Sequence, residues 1–127
     1  MSVLVDTSVW VDYFRGSGAS EAVDFLIDEG LLTTNELIRA ELLPALLARG
    51  EDELAGLLRE IPVRTLQVDW DGIVMLQVTC LKNGINKVGI PDLLIAQNAI
   101  QHGLRVFTRD KHFLLLHQVI PLDLYET

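Results

Sequence analysis

The sequence has one cysteine, few basic residues and no long apolar run, and each shortage excludes a class of protein. The single cysteine, Cys80, cannot form an internal disulfide and is typical of a reducing cytoplasm. No apolar run reaches the roughly 18 residues that a membrane span requires. The apolar residues 2–5 end at Asp6 and follow no basic segment, so they are not expected to form a signal peptide. We therefore expect a cytoplasmic protein.

Acidic residues outnumber basic ones by 18 to 10, and the net charge is −8. Such a charge argues against tight non-specific binding to nucleic acid. The bases are not evenly spread, however. Between Lys82 and Lys111 five bases accompany two acids, so this segment has a net charge of +3. An acidic chain can therefore still present a locally basic strip.

The length of 127 residues suits one domain over residues 1–127. Half of the residues are hydrophobic and the mean hydropathy is +0.32, which is high for a small monomer. This composition favours extra apolar surface buried in an oligomer or against a partner. Cys80 has apolar neighbours at helical spacing and is expected to be buried.

Strand-type and helical periods alternate along the chain. Strands are predicted at residues 3–5, 31–33, 63–68, 105–108 and 119–122. Helices are predicted near residue 8 and at residues 22–29, 35–48, 52–60, 70–83, 91–102 and 111–116. Pro44 is expected to kink its helix or to mark a weak turn. Strands separated by helices predict an α/β domain with a parallel sheet, whose reactive groups lie beyond the carboxyl ends of the strands.

Three acidic residues fall at one predicted edge of this sheet. Asp6 directly follows the first strand, Asp110 follows the strand at 105–108, and Asp92 lies in the first turn of an apolar helix. Each also fits an ordinary structural role, because aspartate caps helices and its charge is favourable in a first turn. Three acids at one edge repel one another unless a cation is bound, and oxygen ligands suit Mg²⁺ or Mn²⁺.

A fourth acid, Glu41, falls in the apolar stripe of its own helix. It lies three residues after Ile38 and four before Ala45. A buried, unpaired carboxylate costs several kcal/mol, so either a base or a metal is expected to meet it. The histidines lack the spacing of zinc ligands and are interpreted as surface or packing residues: His102, His112 and His117.

Four short motifs, which are distributed over nearly the whole length of the chain, carry these acids at residues 3–10, 40–42, 90–96 and 107–113. Their order and spacing resemble the motifs of the PIN-domain family, the first of which opens with Asp-Thr-Ser as residues 6–8 do here. The resemblance implies a three-layer α/β/α fold with a five-stranded parallel sheet. It also implies Mg²⁺ or Mn²⁺ held by four catalytic acids: Asp6, Glu41, Asp92 and Asp110. Asn35 and Glu36 are alternative contributors, but Glu41 fits the alanine–glutamate–leucine pattern of the second motif better.

The short single-domain format resembles the VapC-type toxins of this family. That resemblance implies a ribonuclease acting on single-stranded RNA, an antitoxin protein that blocks the acidic site, and a homodimer. The first-helix aromatics Trp10, Tyr13 and Phe14 fall on one helical face and are expected to line either the antitoxin groove or the core.

Other polar residues are candidates to support the same site. The hydroxyls of Ser8 and Thr108 are placed to hold ligands or phosphate from a second layer, although either also fits a cap or a strand end. The basic strip supplies candidate contacts to RNA phosphate: Lys87, Arg109 and Lys111.

Two other classes of function compete with the nuclease. A PIN-type module without catalysis would bind RNA or protein through the same fold. A phospho-receiver signalling domain has a similar length, but it needs a pair of acids after the first strand. This chain has Thr7 and Ser8 after Asp6, which argues against a receiver.

Overall fold

Strand β1 (Val3–Val5) lies inside a parallel sheet of four strands in the computed structural model, which describes residues 2–127. It pairs with β2 (Leu32–Thr33) on one side and with β3 (Arg105–Phe107) on the other, and β4 (Asp123–Leu124) pairs with β3. The strand order is β2-β1-β3-β4. All three residues of β1 are fully buried. Because their side chains alternate between the two faces, both faces of the sheet are covered.

Helices between the strands provide this cover. They are α1 (Thr7–Phe14), α2 (Ser20–Asp28), α3 (Glu36–Ala48), α4 (Asp52–Glu60), α5 (Trp70–Lys82), α6 (Ile90–His102) and α7 (Lys111–Val119). Helix α3 packs on α4, and α5, α6 and α7 contact one another. The predicted α/β class with a parallel sheet is confirmed, and α3 to α6 agree with the predicted bounds to within one residue at either end. In residues 2–127 no helix has both the length and the apolar character needed to cross a membrane.

The strand predicted at residues 63–68 does not form in the described chain, so the sheet has four strands instead of five. Only Val63 makes a parallel bridge, to Thr34. Side chains of the helices bind the backbone that follows. The amide of Asn98 in α6, for example, donates to the carbonyl of Arg64 at 3.1 Å. Polar side chains thus satisfy backbone groups that a neighbouring strand would otherwise pair.

The strand predicted at residues 119–122 is also wrong, because α7 runs to Val119 and β4 begins at Asp123. The backbone N–H of Ile120 still donates to the Leu116 carbonyl at 2.9 Å, in helical fashion. Phe113, Leu116 and Ile120 are buried at spacings of three and four residues, which is a helical period. A short apolar run is compatible with either period, and here the longer helical one prevails.

Pro44 does not interrupt α3, which includes it. Proline leaves the carbonyl of Ala40 without its usual partner one turn earlier. Both Ala40 and Pro44 are exposed, so water can bind that carbonyl. Cys80 is buried as expected, and burial raises the pKa of its thiol.

Candidate metal centre

The carboxyl ends of β1 and β3 meet at one edge of the sheet. Val5 pairs with Phe107 in the parallel register, and the backbone N–H of Asp6 donates to the Phe107 carbonyl at 3.0 Å. Asp6 and Thr108, the residues that follow these two strands, therefore leave the sheet side by side. This is the juxtaposition expected for neighbouring parallel strands.

Asp6 is the N-cap of α1, and only 3% of the residue is exposed. Its Oδ1 accepts hydrogen bonds from the Ser8 backbone N–H at 2.8 Å and from the Ser8 hydroxyl. Its Oδ2 accepts one from the Thr108 hydroxyl at 2.7 Å. Burial raises the pKa of Asp6, while the hydrogen bonds from Ser8 and Thr108 oppose that increase. Asp6 therefore has the capping role that the sequence allowed, and it also holds a carboxylate at the sheet edge.

Two hydroxyl groups tie the loop after β3 to the start of α1. The Ser8 hydroxyl accepts from the backbone N–H of Arg109 at 2.9 Å, and the Thr108 hydroxyl accepts from that of Asp110 at 2.9 Å. Both hydroxyls also donate to Asp6. Thr108 thus connects the Asp6 carboxylate to the backbone of Asp110 through a single hydroxyl.

Asp92, Asp110 and His112 form a cluster at the N-terminal ends of two helices. Asp92 lies in the first turn of α6, and Asp110 caps α7 by accepting from the backbone N–H of His112 at 2.9 Å. One ligand atom from each of the three side chains lies within 4.8 Å of the others. His112 Nδ1 is 3.3 Å from Asp110 Oδ1 and 3.6 Å from Asp92 Oδ2. We call these three residues the α6–α7 cluster.

The negative charges of Asp110 and Asp6 act on the ionisation of Asp92. Burial raises the pKa of Asp92, and the negative charge of Asp110 raises it further. The charge of Asp6 adds a smaller increase, whereas His112 lowers the pKa. Carboxylates this close favour a proton or a cation between them, because like charges disfavour full ionisation.

Glu41 does not lie in the apolar stripe of α3, and the burial predicted for it is wrong. The buried residues of α3 are Ile38, Leu42 and Leu46. Glu41 is exposed at the border of this row, where its side chain reaches solvent. Its Oε1 accepts a hydrogen bond at 2.8 Å from the hydroxyl of Thr7, the residue that follows Asp6 in the chain. It therefore stands near the sheet edge but outside the α6–α7 cluster.

The two alternatives to Glu41 have structural partners. Asn35 is buried, caps α3 and donates to Asn98 Oδ1 at 3.0 Å. Glu36 accepts from the backbone N–H of Leu66 at 2.9 Å. Both side chains hydrogen-bond the start of α3 to other parts of the molecule, which is a structural role.

His112 is the cluster residue that sequence reasoning missed. Zinc-ligand spacing between histidines is the wrong criterion here, because the neighbouring ligands are aspartates. A usable signal was present, since His112 follows Asp110 by two residues. An aspartate N-cap accepts from a backbone N–H within the first turn, so both side chains belong to the same helix end.

Lys87 and Lys111 line an open groove of about 580 Å³ that also includes His112. Arg109 lies elsewhere, with its Nε 3.3 Å from Asp12 Oδ2 in α1. Two of the three bases predicted to contact RNA thus share a groove that reaches the α6–α7 cluster. The third is paired with an acid.

The donor set of this region fits a divalent cation. The α6–α7 cluster offers two carboxylate groups and one imidazole ring, whose ligand atoms lie within 4.8 Å of one another. Oδ2 of Asp6 accepts the Thr108 hydrogen bond and has further acceptor capacity. Carboxylate oxygens suit Mg²⁺ and Mn²⁺, and imidazole suits the first-row transition ions.

Comparison with known proteins identifies the family. The family model described as the PIN domain matches residues 3–116. The chain belongs to the PIN-domain family. Ribonuclease VapC11 of Mycobacterium tuberculosis is 33% identical to it, with 95% of this chain and 96% of the relative covered. This PIN-domain protein therefore also belongs with the VapC ribonucleases.

Two solved structures confirm the fold. VapBC2 of Rickettsia felis, solved bound to a DNA fragment from its promoter, aligns with a TM-score of 0.78 at 17% identity, covering 98% of each chain. VapBC-5 of Mycobacterium tuberculosis, a member of the VapBC family of toxin–antitoxin systems, aligns with a TM-score of 0.73 at 21% identity over 100% of both chains. The PIN-domain protein thus has the fold of these structures from end to end.

Proposed function

We propose that this PIN-domain protein is a divalent-metal-dependent endoribonuclease that hydrolyses phosphodiester bonds of single-stranded RNA. The observation that carries the proposal is the α6–α7 cluster, with ligand atoms within 4.8 Å of one another and the charge of Asp6 nearby. Membership of the VapC ribonucleases supports the same activity. We infer that the protein acts in the cytoplasm, where the proposed RNA substrate is found and a single thiol stays reduced.

Mg²⁺ or Mn²⁺ is the proposed cofactor, with Asp6, Asp92 and Asp110 as its acidic ligands. Glu41, which accepts from Thr7 beside Asp6, is the proposed fourth acid. When bound, the cation supplies a hydroxide nucleophile near neutral pH and neutralises the phosphate oxygens.

The chain's own residues orient the reaction. Asp92, whose pKa is raised by burial and by the charge of Asp110 in the metal-free protein, would orient the attacking water by accepting a hydrogen bond from it. Ser8 and Thr108 hold Asp6 and Asp110 in place through the bonds described above. Lys87 and Lys111 attract the phosphates of RNA along the groove that includes His112.

We further propose that the protein is the toxin of a toxin–antitoxin pair, because VapBC-5, which has the same fold, belongs to a family of toxin–antitoxin systems. A groove of about 250 Å³ between α1 and α3 includes Glu41 and apolar side chains such as Val11, Phe14 and Leu42. An amphipathic antitoxin helix fits such a surface, with a basic residue paired to Glu41. Trp10, in contrast, is fully buried in the core and does not line this groove.

A homodimer is the proposed assembly. Helix α5 exposes an apolar row that includes Trp70 and Val74, with 62% and 58% of these residues exposed. An exposed apolar face of this kind favours burial against a second copy. Sedimentation at about 50 µM, a concentration above the usual range for weak association, tests it. A monomer at that concentration would contradict the dimer.

RNA cleavage with and without metal tests the central proposal. Purified protein is incubated with single-stranded RNA in EDTA, in millimolar Mg²⁺ and in millimolar Mn²⁺. Cleavage is expected only with metal, and Asp110→Asn should abolish it, whereas Asp123→Asn, at an exposed position of β4, should not. RNA binding without cleavage under all conditions would instead support the non-catalytic PIN module.

A further inference from the structure

We propose that His112 is a nitrogen ligand of the same cation as Asp92 and Asp110, and that it makes the site prefer Mn²⁺ to Mg²⁺. This inference rests on the proposed metal-dependent function and deepens it. Neither the family match nor the relatives' names assign a role to this histidine.

The backbone of α7 holds His112 where its ring faces both carboxylates. Asp110 Oδ1 accepts from the His112 backbone N–H at 2.9 Å, so the cap fixes the first turn of the helix. The imidazole Nδ1 then lies 3.3 Å from Asp110 Oδ1 and 3.6 Å from Asp92 Oδ2. The ring nitrogen therefore stands between acids from two different helices.

These separations are long for hydrogen bonds. A charge-assisted N–H···O bond has a length of about 2.7–2.9 Å, and both distances exceed it. Neighbouring ligand atoms around an octahedral ion with bonds of about 2.1–2.2 Å lie about 3.0–3.1 Å apart. The distances from His112 Nδ1 to the two carboxylate oxygens are thus closer to the spacing of ligands around a shared ion than to that of charge-assisted hydrogen bonds, and a small movement would complete the fit.

The cluster is partly open, which lets a cation enter. The side chains of His112, Asp92 and Asp110 are 28%, 23% and 34% exposed. His112 also lines the groove that contains Lys87 and Lys111. A cation held here therefore lies at the wall of the proposed RNA path.

The mixed donor set gives the site its preference. Mg²⁺ is bound through oxygen ligands and keeps several waters, so an imidazole adds little to its affinity. Mn²⁺ also takes oxygen ligands, but as a first-row transition ion it gains more affinity from an imidazole nitrogen than Mg²⁺ does. Replacing the ring by an amide should therefore weaken Mn²⁺ binding more than Mg²⁺ binding.

The rival role for His112 is that of a counter-ion. A protonated imidazole between the two carboxylates would offset their charge and compete with the metal. Removing it would then strengthen metal binding, which is the opposite result.

Pulsed electron paramagnetic resonance of bound Mn²⁺ distinguishes the two roles. In the wild-type protein we expect ¹⁴N coupling from a coordinated imidazole, and ¹⁵N-histidine labelling should change that signal without any substitution. His112→Gln should abolish the coupling and raise the Kd for Mn²⁺ about tenfold, with less than about a threefold effect for Mg²⁺ measured by competition. His102→Gln, at the opposite end of α6 from Asp92, is the matched control and should retain both coupling and affinity.

Each other outcome overturns the inference. Bound Mn²⁺ without nitrogen coupling, or a His112→Gln variant that binds Mn²⁺ as tightly as wild type or more tightly, would remove His112 from the ligand set while leaving the metal-dependent nuclease in place. No binding of Mn²⁺ or Mg²⁺ by wild type would overturn both the inference and the proposed function.

Discussion

Replacing Asp92 with asparagine should stabilise the metal-free protein. Ligand oxygens of Asp92 and Asp110 lie within 4.8 Å. Two unit charges at that separation repel each other by about 1 kcal/mol at the dielectric constant of water and by about 3 kcal/mol at an effective value near 20. Both side chains are partly exposed, so the lower figure applies. Asp92→Asn should therefore raise the free energy of unfolding in EDTA by about 1 kcal/mol, or the Tm by about 4 °C.

A divalent cation should reverse this order. At 100 times its Kd, a cation that binds only the folded state stabilises wild type by about 2.7 kcal/mol. A variant that binds it 100-fold more weakly gains only about 0.4 kcal/mol under the same conditions. The wild-type protein should then be the more stable of the two by about 1 kcal/mol.

Thermal unfolding in EDTA and in millimolar Mn²⁺ measures both effects. Asp123→Asn removes an exposed carboxylate of β4 and is the control, and its Tm should differ from that of wild type by no more than a degree or so in either condition. The reasoning is refuted if Asp92→Asn lowers the Tm in EDTA. It is equally refuted if Mn²⁺ stabilises the variant and the wild type by the same amount.

Three further perturbations test neighbouring parts of the site. Thr108→Val removes the hydroxyl that joins Asp6 to the Asp110 backbone and should lower the free energy of unfolding, measured by chemical denaturation, by about 1–3 kcal/mol. Thr108→Ser should retain most of the stability, and equal losses in the two variants would exclude the hydroxyl as the cause. Lys87→Ala combined with Lys111→Ala should raise the KM for RNA and reduce the slope of log affinity against log salt concentration by about 1–1.4. Arg59→Ala in α4 is the control and should change neither quantity. An unchanged salt slope in the double variant would contradict the groove as the RNA path. Because burial raises the pKa of Asp6, this carboxylate binds a proton more tightly in the folded protein than in the unfolded chain. The free energy of unfolding of the metal-free protein should therefore rise as the pH falls through the raised pKa of Asp6. Asp6→Asn should remove that part of the pH dependence, which lies between the ordinary pKa of an aspartate and the raised pKa of Asp6, and an unchanged profile of unfolding free energy against pH would show that Asp6 does not titrate in this way.

Much of the fold could be predicted because its signals are local. Helices α3 to α6 have apolar spacing within their own segments, and α3 and α5 also begin at a capping side chain, so their bounds follow from short-range physics. Asp6 and Asp110 could be placed at one edge because each directly follows or nearly follows a short apolar strand. The order of the four motifs then predicted the family, which the match over residues 3–116 confirms.

Two of the predictions that failed depended on partners distant in the chain. Residues 63–68 have strand-like composition, but the amide of Asn98 binds the Arg64 carbonyl and replaces a neighbouring strand. Glu41 lies at the border of the buried row of α3, where its side chain is exposed and accepts a hydrogen bond from Thr7 of α1. No local pattern contains either partner.

The sequence by itself determined the α/β class, the parallel sheet and the acids at its edge, because strand ends and helix caps are properties of short segments. Only the tertiary structure decided which of those acids meet. Packing of α6 beside α7 brings Asp92 close to Asp110 and His112. Glu41 remains exposed, hydrogen-bonded to Thr7 of α1. Electrostatic energy depends on separation in space, and a separation of a few ångströms between residues 92 and 112 is set by how two helices pack, not by either helix alone.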